Sequence, residues 1–208
     1  MKSSAPSKPV YQSPLRDAQA QATSEQILAA VAVLIEAGAE PTYAAIAKQA
    51  GVQERTVYRH FPSKEELYEK FWWMVVDARL GSTGYEASTL DELMRDVEAT
   101  FTAFDRNAAL VSEMLHSRHG LAIRLRTNDR RTAMFQRIVR DELPDADAPT
   151  RRRAAAITQL MYSGMAWHTM RSYWDMDAKE AIASVGQALR AMFAGLRRGA
   201  GVPPRKTR

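Results

Sequence analysis

The chain has 208 residues, 46% of them hydrophobic and 25% charged, with a formal net charge of +5 and no cysteine. That length and apolar content suit a packed globule and exclude wholesale disorder. The missing cysteines exclude a disulfide framework, a thiolate metal site and a cysteine nucleophile, and fit a reducing cytoplasm. The excess charge sits at the ends: Lys2, Lys8 and Arg16 against Asp17 in front, and Arg197, Arg198, Arg205, Lys206 and Arg208 behind. Such tails are solvated ends or a source of non-specific attraction to phosphates. No secretory apolar region opens the chain, and the best apolar run, Ile27–Ile35, is too short to span a bilayer.

Residues 1–22 are rich in Ser, Pro, Ala and Gln and predict a disordered tail. Thr23 or Ser24 then caps a first helix with Ile27, Ala30, Val31, Leu34 and Ile35 as its buried stripe, ended by Gly38. Thr42 is an N-cap for a short second helix with Ile46, Ala47 and Ala50 on one face. Gly51 stands where that helix must turn, and Val52 fills the corner. A third helix, Gln53–His60, has Val57 and Phe61 facing inward and ends at Pro62. Ser63 with Glu66 reads as a capping box opening a helix to about Leu80.

Short helix, glycine turn, short polar helix is the helix-turn-helix pattern, whose second helix lies in a major groove. Arg and Gln are favoured bidentate partners of guanine and adenine, so Gln53, Arg55 and Thr56 are assigned to base edges. Arg59 is placed with them, although it suits either role. Tyr58, His60 and Lys64 are assigned to phosphates, Lys64 gaining from a helix N-terminus, together with Thr42 and Tyr43 at the start of the second helix.

Beyond Gly81–Gly84, a loop signal, the rest reads as helix. Thr89 with Glu92 caps a helix carrying Leu93, Val97, Phe101 and Phe104, broken near Asp105–Asn107. The next helix carries Leu110, Val111 and Met114 and ends at His119–Gly120. Asn128 caps a helix stopped by Pro144. A long helix follows from Thr150, with Ile157, Leu160, Met161, Gly164, Met165 and His168 on one face. Asp177 and Glu180 open the last helix, which carries Ile182, Val185, Leu189, Met192, Phe193 and Leu196.

The string from Thr42 to Leu67 closely resembles the N-terminal domain of the TetR family of bacterial transcriptional regulators. The matching residues are Thr42, Ile46, Ala47, Ala50, Gly51, Val52, Thr56, Tyr58, His60, Phe61, Ser63, Lys64, Glu65 and Leu67. Gln53 departs from the serine usual at that cap, and Ser24 stands near where the first helix often begins with arginine. The resemblance implies an all-α fold: a three-helix DNA-binding domain (23–70), then a helical bundle for ligand binding and dimerisation (71–198), then a basic tail (199–208). It implies a homodimer through the last two helices, a palindromic double-stranded DNA operator, and a small apolar or aromatic effector that releases a cytoplasmic repressor. Trp72, Phe101, Phe104, Met114, His116, Met134, Met161, Trp167, His168 and Tyr173 are the candidate pocket residues, since Met and aromatics suit an adaptable cavity.

The alternative is an architectural DNA-binding protein using its basic tails. His116 and His119 are three apart, but spacing places no third ligand, so no metal is expected. No phosphate loop, nucleophile elbow or H-E-x-x-H motif is present. The sequence therefore predicts no enzyme, no cofactor and no membrane partner.

Overall fold

The computed structural model describes residues 14–81, 86–126 and 128–199. All regular structure among them is helical. The chain divides into two compact units, Met1–Leu67 and Tyr68–Arg208. Apart from Gly81 itself, the Gly81–Gly84 loop signal lies outside the described residues, as do the front of the N-terminal tail and most of the C-terminal tail.

In the first unit, α1 (Pro14–Glu36), α2 (Tyr43–Ala50) and α3 (Glu54–His60) precede α4 (Lys64–Phe71), in which the division between units falls. The expected disordered tail is wrong over 14–22, where α1 begins nine residues before Thr23. Pro14 suits a first helical position, Asp17 favours the first turn, and the Ala-Gln run that follows has high helix propensity. That extension is exposed, so propensity rather than burial carries it. Downstream, Ile27, Val31, Ile46, Val57, Phe61 and Leu67 are buried, and Gln26 Nε2 donates to the Ala50 carbonyl at 2.6 Å, tying α1 to the end of α2.

In the second unit, a π-helical turn (Trp72–Val76) and α5 (Asp77–Leu80) come first. Then follow α6 (Leu90–Arg106), α7 (Ala108–His116), α8 (Arg118–Arg126), α9 (Asn128–Glu142), α10 (Ala148–Tyr162), α11 (Gly164–Trp174) and α12 (Ala178–Gly199). One core joins Leu93, Val97 and Phe101 of α6 to Met134, Phe135 and Ile138 of α9 and to Val185, Leu189 and Phe193 of α12. Thr89 and Glu92 form the predicted capping box.

Three expectations fail here. Gly120 does not end a helix: Ser117 does, and Gly120 lies buried in α8, where a Cβ would collide with the Met114 carbonyl. The long helix from Thr150 begins instead at Ala148, because Asp147 accepts a hydrogen bond from the Thr150 amide at 2.7 Å. It also breaks at Ser163, whose hydroxyl accepts from the Ala166 amide and caps α11. The predicted stripe is therefore not the buried one. Ile157, Leu160 and Met165 are exposed, while Ala154, Ala155, Thr158 and Tyr162 face inward, where small side chains let α10 lie close against α9.

Candidate nucleic-acid interface

The corner is built from local chemistry. Thr42 has extended backbone angles, and its hydroxyl accepts from the Ala45 amide at 3.2 Å. Gly51 closes α2 at φ 67°, in the left-handed region, and Val52 donates back to the Ala47 carbonyl at 3.0 Å. This reversal presents α3 outward with Val57 pinned fully inside. Gln53 precedes α3 with no side-chain cap bond.

Gln53, Arg55 and Arg59 are exposed and Thr56 is half-buried, so all four proposed base readers project from α3 or its cap. Tyr58 is 51% exposed. Its ring meets Tyr43 edge-on at 4.3 Å, and the Tyr43 hydroxyl donates to the Phe61 carbonyl at 2.8 Å. Burial foremost, then Tyr58 and the carboxylates of Glu65 and Glu66, raise the Tyr43 pKa above its ordinary value and keep the hydroxyl neutral. Tyr43 is thus a buried strut that locks the end of α3 to α2. Half-buried His60 is held below its ordinary pKa, first by burial and second by the Arg59 charge.

Ser63 accepts from the Glu66 amide and donates to the Glu66 carboxylate, both at 3.2 Å, which opens α4. Lys64 in its first turn reaches Glu40 at 3.7 Å. A shallow recess of about 440 Å³ is lined by Thr42, Tyr43 and Ala44 from the start of α2, Pro62, Ser63 and Lys64 from the start of α4, and Glu54 and Tyr58 of α3. Two helix N-termini therefore open on one recess beside α3, an arrangement that attracts an anion. Sequence reasoning assigned the contacts separately. It did not see that α2 and α4 share one concavity, because spacing along the chain carries no information about their convergence.

The second unit brings part of the candidate pocket set together. Phe101 stacks on Phe104 at 6.1 Å, Phe104 meets Trp167 edge-on at 5.6 Å, Trp167 lies 6.3 Å from His168, and His168 meets His116 edge-on at 4.7 Å. Met134 and Met161 belong to the same core, and Met114 is buried. Trp72 is half-buried in the π turn. Tyr173 departs from the set: at 78% exposed it faces solvent at the end of α11 and lines no interior space in a single copy.

Two polar residues were missed. Asp105 accepts from Trp167 Nε1 at 2.8 Å and pairs with Arg171 Nε at 3.1 Å. Sequence inspection read Asp105 only as part of a helix break; the i, i+4 spacing of Trp167 and Arg171 was the available signal. Among the described residues no group of three metal-type ligands occurs, and no helix is long and apolar enough to cross a membrane.

Comparison with known proteins matches residues 27–71 to the DNA-binding domain of bacterial regulatory proteins of the tetR family. The nucleoid occlusion factor SlmA of Marinomonas sp. is 54% identical over 46 residues, covering 21% of this chain and 23% of that protein. The Vibrio vulnificus SlmA is 31% identical over 122 residues, covering 55% of this chain and 61% of that protein. The chain thus matches less than two thirds of the length of either relative. Among solved structures, a transcriptional regulator from Rhodococcus sp. aligns over 87% of this chain and 99% of its own, at 21% identity and a TM-score of 0.55. NalD of Pseudomonas aeruginosa, the secondary repressor of the MexAB-OprM multidrug efflux pump, aligns over 85% and 96%, at 20% identity and a TM-score of 0.55. These likenesses share the fold.

Proposed function

Because the chain belongs to the tetR family of bacterial regulatory proteins, we propose that it represses transcription as a homodimer on a palindromic operator and is released by a small apolar or aromatic molecule. The observation that carries the reading is the recess where α2 and α4 begin, next to the outward side chains of α3. Helix N-termini and Lys64 hold two stretches of phosphate backbone, and α3 then enters the major groove with Gln53, Arg55, Thr56 and Arg59 toward base edges. Thr42, Tyr58 and His60 complete the phosphate contacts. Glu54, on the recess rim, opposes phosphate and favours a path that keeps the backbone toward Lys64.

A single recognition helix reads too few base pairs for operator choice, which requires a second copy. Ile157, Leu160 and Met165 form an exposed apolar strip on α10 and α11. On α12, Ala188, Ala191 and Gly195 are exposed, and nothing lies within 4 Å of a Cβ at Gly195, so a partner helix has room to approach closely. We assign these helices to the dimer contact. The ring series from Phe101 to His116 suits an aromatic effector, with Asp105 and Arg171 supplying a polar end. Such a ligand lowers operator affinity only by its differential affinity for the two dimer states.

The test is selection of bound duplexes from a random pool, followed by titration of variants on the selected operator. Arg55→Ala costs about 1–3 kcal/mol and relaxes the choice at one position, whereas Lys64→Ala weakens all sequences alike and lowers the salt slope by about 1. A pool that emerges without a palindrome defeats the reading. The 122-residue match to SlmA, which runs well beyond the corner, favours a second reading: a nucleoid-bound factor with many chromosomal sites and no effector. Genome-wide occupancy separates the two, a few operators against a broad distribution.

A further inference from the structure

His116 of α7 and His168 of α11 lie far apart in sequence and meet in the second unit, their rings edge-on with centres 4.7 Å apart. Sequence spacing pairs His116 with His119. The fold stacks His119 on Tyr68 at 4.8 Å and gives His116 a histidine from another helix. His116 is exposed and His168 half-buried, so solvent reaches the pair.

Each ring is tied back to its own helix through Nδ1. His116 Nδ1 lies 2.8 Å from the Ser112 carbonyl oxygen. A carbonyl only accepts, so Nδ1 carries the proton, and in the neutral ring Nε2 holds a bare lone pair. His168 Nδ1 lies 3.3 Å from the Ser172 hydroxyl, which accepts from the same tautomer. Neither Nε2 has a hydrogen-bond partner among the described residues. A histidine whose Nδ1–H is held by a backbone carbonyl while Nε2 stays open is oriented as metal-binding histidines are.

We infer that His116 and His168 form a two-ligand site for a divalent transition ion of the zinc, copper or nickel kind. With metal–nitrogen bonds of about 2.0–2.1 Å, two imidazoles on one ion stand roughly 4.5–5.3 Å apart at their centres. The observed 4.7 Å falls inside that range. Edge-on packing alone gives the same separation, but packing calls for no nitrogen, and any ring would serve it. Imidazole selects the later first-row ions over magnesium and calcium, which take oxygen ligands. Two protein ligands leave the remaining positions to water, so the ion exchanges with solvent. Both rings belong to the series offered to the effector. Metal binding is measured without DNA or effector, however, so the site stands or falls apart from the repressor reading.

The experiment titrates the full, untagged chain with zinc chloride by calorimetry, with magnesium chloride as the control. One zinc binds per chain and magnesium does not bind. His116→Ala and His168→Phe each lose about tenfold or more in zinc affinity, while His119→Gln keeps the parent value. His168→Phe retains a ring at the contact, so it separates the nitrogen from the packing. His116→Ala changes an exposed side chain, and it decides the matter should His168→Phe fail to fold. Zinc raises the melting temperature of the parent chain and leaves that of both variants in place. Long-range proton–nitrogen NMR finds the Nδ1–H tautomer at His116 before zinc, and titration moves the Nε2 resonances of both rings. The inference is overturned if His116→Ala or a folded His168→Phe keeps the parent affinity, which marks adventitious zinc only, or if His119→Gln loses it. It is also overturned if magnesium competes, if one ion binds per two chains, or if no zinc binds below about 1 mM.

Discussion

The two units are held together by different physics. In the first, local residues fix the corner that carries α3: the Thr42 hydroxyl, the left-handed Gly51 and the Ser63–Glu66 pair. The second is a bundle joined by a continuous aromatic and aliphatic core. A reading surface needs backbone amides and polar side chains at fixed angles, and capping fixes angles. The proposed effector response needs packed layers with alternative arrangements, and packing supplies those. Mutations therefore divide by mechanism: loss of volume harms the bundle most, and loss of a cap or turn harms the reading head most.

The largest expected effect tests the bundle. Phe101 is fully buried between α6 and the rest of the core, and Phe101→Ala removes its contacts with Phe104 as well as its volume. Urea unfolding should show a loss of about 3–5 kcal/mol. A loss below about 1 kcal/mol would mean that the aromatic series is loosely packed, and the contrast between the units would fail. The next effect tests the reading head. Gly51→Ala meets no neighbour, since nothing lies within 4 Å of a Cβ there, so its cost of about 1–2 kcal/mol is the left-handed backbone alone. Operator affinity should fall with it, because the same turn aims α3.

The same division explains what the sequence made legible. Thr42, Gly51, Ser63, Thr89 and Asp177 act within four residues of themselves, and each makes the predicted bond or turn. The all-α class followed from periodicity throughout. The buried face of α10 escaped because a distant helix decides it, whereas Ser163 is a local cap on the Ala166 amide and Gly120 answers to a carbonyl six residues before it, two near signals that periodicity does not carry. A Met114 carbonyl makes Gly120 a packing glycine, and contact with α9 turns Ala154, Ala155 and Thr158 inward in place of Ile157 and Leu160. The α1 extension escaped for the opposite reason: its Ala-Gln composition favours helix without any burial, and low apolar content was read as disorder. Asp105 drew attention only as a break, since its partners Trp167 and Arg171 touch it in space but lie sixty or so residues away in sequence.

A smaller effect sharpens the reading head further. Gln53 leaves α3 without a side-chain cap bond. Gln53→Ser supplies the missing acceptor and should stabilise the first unit by about 1 kcal/mol, measured by thermal unfolding. If Gln53 also reads adenine, the selected operator loses its preference at one position while stability rises. Stability and recognition then move in opposite directions at one residue. A parallel fall in both would show that Gln53 serves the fold and leaves the bases alone.

The smallest effect concerns one proton. Burial and the Arg59 charge hold His60 below its ordinary value of 6.5 in the free protein. The unfolded chain therefore holds that proton more tightly than the folded one. The resulting stability is fully present above the unfolded value and is lost as pH falls from there toward the folded value. Contact with phosphate acts the other way, since an adjacent anion favours the charged imidazolium. If His60 touches the backbone, DNA binding takes up a proton and affinity rises as pH falls, with a slope of log K against pH approaching about −1. The two trends have opposite signs, so they separate in one experiment. Affinity is measured between about pH 5.5 and 8 at constant salt, beside melting over the same range. His60→Asn should flatten the affinity profile and the low-pH loss of stability together. A variant that flattens only the stability profile would place His60 in the packing of α3 and leave the phosphate to Lys64, Thr42 and the helix N-termini of the recess.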